Sequence, residues 1–505
     1  MFIRKIKSRK STCFQIGHKV HGKFKLIKHV GCASLPDQIE IIKMKAEEDL
    51  PKYKKQLSLF TTTVPKTVKA TLLNWQITGF HQVFGHIYDL IGFPKSILKD
   101  LVVARIVCPK SKAATVRYLG QYLNIDLSED KIYRFLDTLN KEELIKIAYD
   151  FVSKKNNGIA LIFYDVTTLY FESSDEDDLR KKGYSKDHKH DLPQIVIGLF
   201  VDKDGYPFDF DFYDGSTFEG HTFPKAIKSL TEKYKFQNLV VVCDAGMLSE
   251  KNIKFLESKN LNYIVGARMK SMSEVIKKQI FAHNFTKEQT FEITCKTELE
   301  VGETKDKRLI VDFSEKRAKK DKFNREKLIK KLEAKIASKK ELIKKSKYLI
   351  LENQSKVAGI DREKIEQDKR HDGLKGYWTN LNIKNKPKEI IDQYHNLWQV
   401  ERAFRMSKSD LAERPIFHRR KKRIAGHLLI CFCSLLVMKE TEKILKPINI
   451  SLARAIEVLA KVGQGETKIG NISLLTESEL STEVKSILNR IKRLSFLEAV
   501  DNYRK

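Results

Sequence analysis

Two short apolar runs, each followed at once by an aspartate, constrain the fold of this chain more than any other feature. Residues 161–164 (Leu-Ile-Phe-Tyr) precede Asp165, and residues 239–243 (Leu-Val-Val-Val-Cys) precede Asp244. Short runs rich in β-branched and aromatic residues predict buried strands, and an acidic side chain just past such a strand lies where α/β proteins bind ligands. An aspartate in this position can also simply close the following turn, so each one alone is ambiguous.

The pattern over residues 158–268 predicts a mixed α/β core. Further strand-like runs occupy 195–201, 208–212 and 262–267, and a helical run lies near 224–234. Strands that alternate with a helix in this way are typical of an α/β sheet.

About a hundred residues interrupt this core. Residues 269–372 contain two strand-like runs, 291–297 and 308–313, and a Lys-rich helix predicted over 316–347. The apolar positions of that helix follow helical spacing, which favours a solvated helix with one buried stripe over a dedicated DNA contact. The core is expected to resume over 373–424.

The rest of the chain suggests further units, since 505 residues are too many for one hydrophobic core. Residues 1–38 predict a basic hairpin around His21-Gly22. Residues 39–157 predict a helical, DNA-binding domain, and residues 425–505 predict a helical C-terminal region.

Two helices joined by a short turn are predicted within the helical domain. The first spans 113–123, and the second begins at Ser128, a residue type that favours the N-cap position. Lys131 and Arg134 would lie near DNA if this pair is a helix-turn-helix motif. Such pairs also occur in ordinary helical domains, so a purely structural role is the alternative.

The net charge indicates a polyanionic partner. The chain has 95 Lys and Arg against 65 Asp and Glu, a formal charge of +30. Basic proteins attract nucleic acid because each neutralised phosphate releases condensed counterions. Lys greatly outnumbers Arg, as in the products of AT-rich coding sequences, so compositional bias is the alternative explanation.

Neither zinc nor a membrane is expected from the remaining composition. The cysteines lack the paired spacing of a zinc site or a compact disulfide framework, so we expect reduced thiols in a cytoplasmic protein. The longest clean apolar stretch, 428–438, is too short to span a bilayer, and the N-terminus has no signal sequence, so no membrane partner is expected.

A third acidic residue lies on a helix predicted over 389–406. Positions that step by three and four share one face of this helix, namely Ile390, Tyr394, Leu397, Glu401, Phe404 and Lys408. A buried glutamate on such a face needs a cation or a metal ion as partner. An ion pair with Arg405 is the ordinary explanation, whereas the two aspartates at strand ends favour a metal ion.

Taken together, these residues resemble the insertion-sequence transposases with a DDE triad, in the insertion-sequence-four superfamily, whose third acid lies in a Tyr-x2-Arg-x3-Glu-x6-Lys signature. Tyr394, Glu401 and Lys408 have the required spacing, and Leu397 stands at the Arg position. Further matching runs are Tyr-Asp-Val-Thr-Thr-Leu-Tyr-Phe-Glu at 164–172, Gly-Tyr-Ser-Lys at 183–186, Asp-Gly-Ser-Thr-Phe-Glu at 214–219, Asp-Ala-Gly at 244–246 and Arg-Pro-Ile-Phe-His at 414–418.

The resemblance implies an RNase H-like fold whose catalytic and metal-binding residues are Asp165, Asp244 and Glu401. Two Mg²⁺ ions, for which Mn²⁺ can substitute, would support in-line attack on phosphodiesters. The implied enzyme binds the terminal inverted repeats of its own element, cleaves the ends and joins the 3′-OH to target DNA. Two protomers would assemble with two DNA ends in the nucleoid-associated cytoplasm of a prokaryote, and residues 269–372 would form an insertion subdomain.

The resemblance also implies that Tyr394 and Lys408 contact DNA phosphates. Leu397 cannot do so, and the neighbouring candidates that can supply the missing charge are Arg402, Arg405 and His395. A basic run over 419–423, which begins with Arg419 and Arg420, follows the catalytic helix and either binds phosphate or solvates a turn.

Other polar and aromatic residues have weaker claims. The cluster at 187–191 is typical of a solvated loop more than of a metal site. Glu219 and Asp214 are candidates to support the metal ligands. Trp378 and Trp398 either stack on an extruded base or pack in the core.

Two other functions remain open at this point. One is a DNA-binding protein that descends from a transposase but has no activity, which an intact triad argues against. The other is a stand-alone metal-dependent nuclease, which would cut DNA without joining it.

Overall fold

The computed structural model describes residues 1–8, 11–53, 70–247, 249–283, 285, 289–298, 304–337, 347–352, 356–382, 384, 386–469 and 471–503. The chain divides into two compact units. The smaller comprises residues 1–76 and 463–479, and the larger comprises residues 77–462 and 480–505. The three acidic residues singled out above all lie in the larger unit.

The strands in chain order are β1 (Phe2–Lys7), β2 (Thr12–Val20), β3 (Lys23–Ala33), β4 (Ala70–Ile77), β5 (Leu161–Tyr170), β6 (Gln194–Asp202), β7 (Pro207–Asp214), β8 (Val240–Cys243), β9 (Asn262–Ala267), β10 (Thr290–Glu298), β11 (Thr304–Phe313), β12 (Leu349–Glu352), β13 (Lys356–Ile360), β14 (Leu374–Thr379), β15 (Gly463–Ile469) and β16 (Ile472–Glu477). The α-helices are α1 (Pro36–Tyr53), α2 (His86–Ile91), α3 (Ile97–Val107), α4 (Lys112–Leu123), α5 (Glu129–Thr138), α6 (Lys141–Lys155), α7 (Glu219–Lys233), α8 (Glu250–Ser258), α9 (Glu274–Ala282), α10 (Glu315–Ala337), α11 (Arg362–Lys369), α12 (Pro387–His395), α13 (Trp398–Arg405), α14 (Lys421–Leu445), α15 (Leu452–Leu459) and α16 (Thr482–Tyr503).

The smaller unit contains two three-stranded sheets, β1-β2-β3 and β16-β15-β4. The turn at His21-Gly22 joins β2 to β3, as the basic-hairpin prediction required, and β1 adds a third strand. The second sheet contradicts two predictions, because β4 lies within the predicted helical region 39–157 and β15 and β16 lie within the predicted helical region 425–505. Pairing between segments that are far apart in sequence leaves no trace in local periodicity, so the sequence pattern did not predict β4, β15 and β16.

Cys13 and Cys32 face each other across the β2–β3 hairpin and form a disulfide bond. The expectation of reduced thiols throughout is therefore wrong for this pair. The other five cysteines are free. Their scatter in the sequence hid the pair, because only the register of the two strands brings Cys13 opposite Cys32.

An eight-stranded mixed sheet organises the larger unit, in the order β10-β11-β14-β9-β8-β5-β6-β7. β5 pairs antiparallel with β6 and parallel with β8, and β8 pairs parallel with β9. β6 is buried along its whole length, as expected of a central strand with both faces covered.

β10 and β11 extend this sheet by pairing with β14. Two strands of the predicted insertion subdomain, residues 269–372, therefore belong to the main sheet. Outside the sheet, α10, β12, β13 and α11 surround a small core of Leu332, Tyr348 and Ile365. α10 ends at Ala337, and the predicted continuation of that helix over 338–346 lies outside the described residues.

The helices of residues 77–157 are delimited by caps that the sequence supplies. The Ser111 hydroxyl accepts a hydrogen bond from the backbone N–H of Ala114 at the start of α4, and the Ser128 hydroxyl does the same for Lys131 in α5. Asn124 ends α4 in a left-handed conformation. The predicted pair of helices is therefore present, and its role in reading DNA stays a prediction.

α14 is the central helix of the larger unit. Its length and composition alone would suit a membrane span, but 94% of its most apolar 18-residue stretch is buried inside the protein. It packs against α3, α5 and α6. Burial in the helical core therefore accounts for its apolar sequence.

Tyr164, the residue before Asp165, anchors β5 to its surroundings. Its side chain is fully buried, and its hydroxyl lies 3.1 Å from the Thr222 Oγ1 atom on α7. Gly198 on β6 lies against the Tyr164 ring, where any Cβ atom would overlap it. The absence of a side chain at Gly198 therefore fixes how β5 presents Asp165.

We expect Gly198→Ala to lower the free energy of unfolding by about 1–3 kcal/mol, because the new methyl group would overpack against Tyr164. Gly120→Ala is the matched control. Gly120 lies in α4, where a new Cβ atom would come no closer than 4.0 Å to the Ile125 carbonyl oxygen, so this substitution should stabilise the chain by roughly 0.5–1 kcal/mol. Urea unfolding of both variants tests this, and a Gly198→Ala protein as stable as the parent would contradict the packing.

Candidate active site

Parallel pairing of β5 and β8 brings two aspartates to the same edge of the sheet. The register places Tyr164 opposite Cys243, and Asp165 and Asp244 are the next residues on their respective strands. Neighbouring strands lie about 4.8 Å apart, so the two carboxylates stand side by side. The interpretation of both apolar runs as strands is confirmed by these elements, and Asp244 follows its strand as expected. The expectation that Asp165 lies just past its strand is wrong, because β5 continues through Tyr170 and pairs with β6 along this stretch.

The protein around Asp165 disfavours its charged form. Burial raises the pKa of the Asp165 carboxyl to about 6, and the nearby Glu219 and Asp244 carboxylates also raise it. The Lys186 ammonium and a hydrogen bond from the backbone N–H of Val166 act in the opposite direction. A carboxylate with a raised pKa in a cluster of like charges is typical of a functional site.

Lys186 and Glu219 flank this carboxylate. The Lys186 Nζ atom lies 3.0 Å from Glu219 Oε1 and donates a hydrogen bond to the backbone carbonyl of Val166. Glu219, the first residue of α7, is therefore beside Asp165 as its suggested supporting role requires. Asp214 instead accepts hydrogen bonds from the hydroxyls of Ser216 and Thr217 and closes its own turn.

Tyr394 orients the second aspartate. Its hydroxyl donates a hydrogen bond to Asp244 Oδ1 at 3.2 Å, and its side chain is only 4% exposed. Burial and the adjacent carboxylate of Asp244 raise the pKa of Tyr394, so the group stays a hydroxyl donor. Gly266 on β9 leaves the space that this hydroxyl occupies. The hydroxyl expected to contact a DNA phosphate therefore points to Asp244 in this structure.

The helix that carries Glu401 is broken. α12 ends at His395 and α13 begins at Trp398, and the backbone N–H of Leu397 bonds to the Tyr394 carbonyl at 3.0 Å in an i to i+3 pattern. This tighter turn rotates the following residues relative to a continuous helix. The predictions of one helix over 389–406 and of a buried Glu401 are therefore wrong.

Glu401 is exposed, and it forms no ion pair with Arg405. Its charge acts on Lys375 of β14: burial lowers the pKa of this lysine, and the Asp244 and Glu401 carboxylates oppose that shift. The Lys375 ammonium also lies 4.6 Å from the centroid of the Tyr394 ring. Glu401 and Asp244 therefore face a common region beside Lys375.

The sequence analysis did not predict that Lys375 belongs to the candidate site beside Asp244. It lies in a short Leu-Lys-Gly stretch of β14 that has no motif character. Its position beside Asp244 follows from the insertion of β14 next to β9, which pairs antiparallel with it. Only knowledge of the sheet order could have identified this lysine.

A divalent cation fits the neighbouring side chains of Asp165 and Asp244. A cation bound beside these carboxylates would stabilise the ionised form of Asp165, whose pKa is raised by burial. Within the part of the chain that the structure describes, however, no group of three or more His, Cys, Asp or Glu side chains is positioned to hold a metal ion. The structure thus brings Asp165 and Asp244 together and leaves Glu401 outside a complete ligand set.

Two predicted DNA-binding cations already have carboxylate partners. The Lys408 Nζ atom lies 3.2 Å from Asp187 Oδ2, and burial lowers the pKa of Lys408. Asp187 also forms an ion pair with Arg414 at 2.7 Å. These two cations account for the carboxylate of the 187–191 loop without a metal ion. Arg402 Nη2 lies 2.6 Å from Glu442 Oε1 on α14.

The remaining predicted cations are more accessible. Arg405 and Arg420 are exposed and have no ion-pair partner among the described residues, and Arg419 is exposed at 4.0 Å from Asp175. Leu397, at the signature Arg position, is buried.

The aromatic candidates differ in their surroundings. Trp378 packs in the sheet and is buried, whereas Trp398 is 46% exposed. Burial lowers the pKa of His395, so this residue is a poor source of positive charge at neutral pH.

The family of the chain is shown by its match to the transposase DDE domain over residues 156–437, more than half of its length. The chain belongs to this transposase family. The matched region of this DDE-domain protein contains Asp165, Asp244 and Glu401.

Two solved structures have weaker likeness to this transposase-family chain. The cryo-EM structure of the piggyBac transposase synaptic complex with hairpin DNA is similar with a TM-score of 0.36 and 11% identity, over 75% of this chain and 80% of that one. The crystal structure of the Mos1 mariner paired end complex with Mn gives 0.15 and 11%, over 34% and 60%. Neither likeness is close enough to carry an argument, and no curated protein matches the chain.

Replacing Asp165 should stabilise the protein at neutral pH. The pKa of the carboxyl rises from 3.8 to about 6 on folding, so the folded state binds the proton more tightly than the unfolded state, and stability falls as pH rises between these values. We expect Asp165→Asn to raise the free energy of unfolding above pH 6 by about 2–3 kcal/mol, and to have little effect below pH 4. Denaturant unfolding across this range measures the difference, and a pH-independent difference would contradict the assigned pKa.

Proposed function

We propose that this protein is a DNA transposase of the insertion-sequence type. It binds the terminal inverted repeats of its own element, cleaves the element ends by metal-dependent phosphodiester hydrolysis, and joins the 3′-OH ends to target DNA. The observation that carries this proposal is the side-by-side placement of Asp165 and Asp244 by the β5–β8 register, within a DDE domain.

The strand arrangement supports an RNase H-like core. β6 runs antiparallel to both of its neighbours, β7 and β5, and β8 and β9 follow in parallel with β5. This is the order that such a core requires, with the first acid on its first strand and the second acid at the end of its fourth. The spacing of Tyr394, Glu401 and Lys408 supports membership of the group with the Tyr-x2-Arg-x3-Glu-x6-Lys signature.

Asp165 and Asp244 would hold two Mg²⁺ or Mn²⁺ ions, and Glu401 would complete the ligand set after α13 moves toward the sheet edge. Such ions, when bound, activate the attacking oxygen and neutralise the charge that develops on the phosphate. The short α13, bounded by a tight turn and by a π-helical segment over Met406–Asp410, is a suitable element for that movement.

The protein's own side chains prepare the two chemical steps. Tyr394 fixes the orientation of Asp244, and Lys186 lowers the pKa of Asp165 and thus favours its ionised form. In the first step water attacks the phosphorus at the element end, the bond from phosphorus to the 3′ oxygen breaks, and a free 3′-OH forms. In the second step that 3′-OH attacks a target phosphodiester, a new bond forms to phosphorus, and a 3′-OH of the target strand leaves.

Double-stranded DNA is the proposed partner at both steps. The formal charge of +30 favours it, and the exposed Arg405, Arg419 and Arg420 are suited to phosphate contacts. The reaction requires an assembly that holds two element ends together. The proposed assembly is a homodimer, and the proposed location is a prokaryotic nucleoid.

Asp165→Asn, Asp244→Asn and Glu401→Gln should each leave DNA binding intact and reduce cleavage of element ends at least about a hundredfold, because stabilisation of the transition state by the ions would be lost. Glu389→Gln is the matched control, since Glu389 is an exposed glutamate on the adjacent helix α12 and lies outside the site. Cleavage and strand-joining assays with Mg²⁺ or Mn²⁺ on linear DNA measure the effect.

The same assay decides between the proposal and its two rivals. Cutting and joining by the parent protein support a transposase. Cutting without joining would indicate a stand-alone nuclease, and binding alone would indicate a catalytically silent derivative. A Glu401→Gln variant that cuts at the normal rate would refute the role of that residue.

Binding of DNA phosphate by Lys408 requires release of this residue from Asp187. We therefore expect Lys408→Ala to weaken binding of element ends and to flatten the salt dependence by about one unit of slope, and Asp187→Asn to tighten binding, because it frees Lys408 and Arg414. Binding measured over a series of salt concentrations tests both. Unchanged affinity in both variants would show that the cluster is purely structural.

A further inference from the structure

A small cavity in the larger unit gathers positive charge away from the three acidic residues. Its volume is about 160 Å³, and it lies between the N-terminal turn of α4, the segment 412–418, and the first half of α14. The groups that matter for its chemistry are Arg105, Lys112, Arg414, His418 and His427.

Lys112 is the most informative residue of this cavity. It is 5% exposed, and it has neither a hydrogen bond nor an ion pair with any described residue. It is also the first residue of α4, so the positive end of the helix dipole lies at the same place. A buried ammonium without a partner is costly, which indicates that a counter-charge is missing.

The other cationic groups add to this imbalance. Arg105, 6% exposed, donates one long hydrogen bond of 3.4 Å to the Leu411 carbonyl and has no carboxylate partner within the described ranges. His427 uses Nε2 to contact the Glu413 carbonyl at 3.0 Å, and its buried Nδ1 has no hydrogen-bond partner. His418 is buried, and its ring packs against the rings of Tyr133 and His427.

The nearby carboxyl groups do not supply the missing charge. Asp187 pairs with Arg414 and Lys408, and Glu129, which accepts a hydrogen bond from the Tyr133 hydroxyl, forms no ion pair with Lys112 or Arg105. Burial raises the pKa of Glu413 to about 7, so this group is not a full counter-ion, and it accepts its hydrogen bond from Ser407.

The lowered pKa values of the basic side chains in the cavity agree with this geometry. Burial, and next the Arg105 charge, lower the pKa of Lys112 to about 7. Burial, and next the charges of Lys112, Arg105 and Arg423, lower the pKa of His418 to about 3. Burial, and next the charges of Lys112 and Arg105, lower the pKa of His427. An anion in the cavity would reverse each of these effects.

We propose that this cavity is a binding site for a phosphate-class oxyanion, held by Lys112, Arg105 and the N-terminal turn of α4, with His418 as an additional donor and with the Nδ1 atom of His427 donating once the bound anion favours its protonated form. Its size suits one tetrahedral anion, and its donors are the groups that bind phosphate and sulfate most strongly in proteins. The anion is either a backbone phosphate of bound nucleic acid or free inorganic phosphate. The site does not depend on the proposed transposase chemistry.

Isothermal titration of the full chain with sulfate and with inorganic phosphate, at constant ionic strength, tests the site. The parent protein should bind both anions saturably, and Lys112→Met should weaken binding at least about tenfold, because one charge-assisted hydrogen bond is lost. Arg117→Met is the matched control, since Arg117 is an exposed cation on the same helix, and it should bind like the parent. Asp165→Asn should also bind normally, which separates this site from the catalytic proposal.

Thermal unfolding provides a second readout that a merely structural lysine would not give. In chloride, Lys112→Met should melt at a higher temperature than the parent, because an uncompensated buried charge has been removed. Equal anion binding by Lys112→Met and the parent, or saturable binding by neither, would overturn the proposal. Displacement of phosphate by short duplex DNA would identify a DNA phosphate as the source, and simultaneous binding of both would identify free phosphate.

Discussion

The parallel pairing of β5 with β8 is the constraint on which the rest of the site depends. Hydrogen bonds between these strands fix a register in which Asp165 and Asp244 occupy equivalent positions at the sheet edge. Close packing keeps that register in place, since Gly198 leaves room only for the Tyr164 ring and Gly266 only for the Tyr394 hydroxyl. The two carboxylates are thereby held close together in partly buried positions. Burial first, and the neighbouring Asp244 charge to a smaller extent, raise the pKa of Asp165.

The third acid is held by a different kind of element. The strands are fixed by ladders on both sides, whereas α13 is a two-turn helix that follows a tight turn and leads into a π-helical segment. Glu401 is exposed on it, and both Glu401 and Asp244 act electrostatically on the Lys375 ammonium. This difference fits a site in which two acids are preorganised and the third is brought in when substrate and metal ions are present.

The sequence was a good guide to the core and a poor one to what surrounds it. The strands that carry or precede Asp165 and Asp244, the strands β10 and β11, and the paired helices α4 and α5 were predictable, because apolar runs and serine caps are local signals. The pairing of β4 with β15, the Cys13–Cys32 bond and the entry of β10 and β11 into the main sheet were not, because they are set by contacts between distant segments. Glu401 was misplaced because one i to i+3 turn at Leu397 changes the helical phase. Lys375 and the cavity around Lys112 have no sequence signal at all.

The most direct test of the central claim is the position of Mn²⁺ in a structure of the protein with element-end DNA, located by its anomalous scattering. We predict a peak with oxygen atoms of both Asp165 and Asp244 at roughly 2.0–2.5 Å, and Glu401 drawn in to coordinate as well. A peak that contacts only one of the two aspartates, or a metal ion bound elsewhere in the chain, would contradict the account.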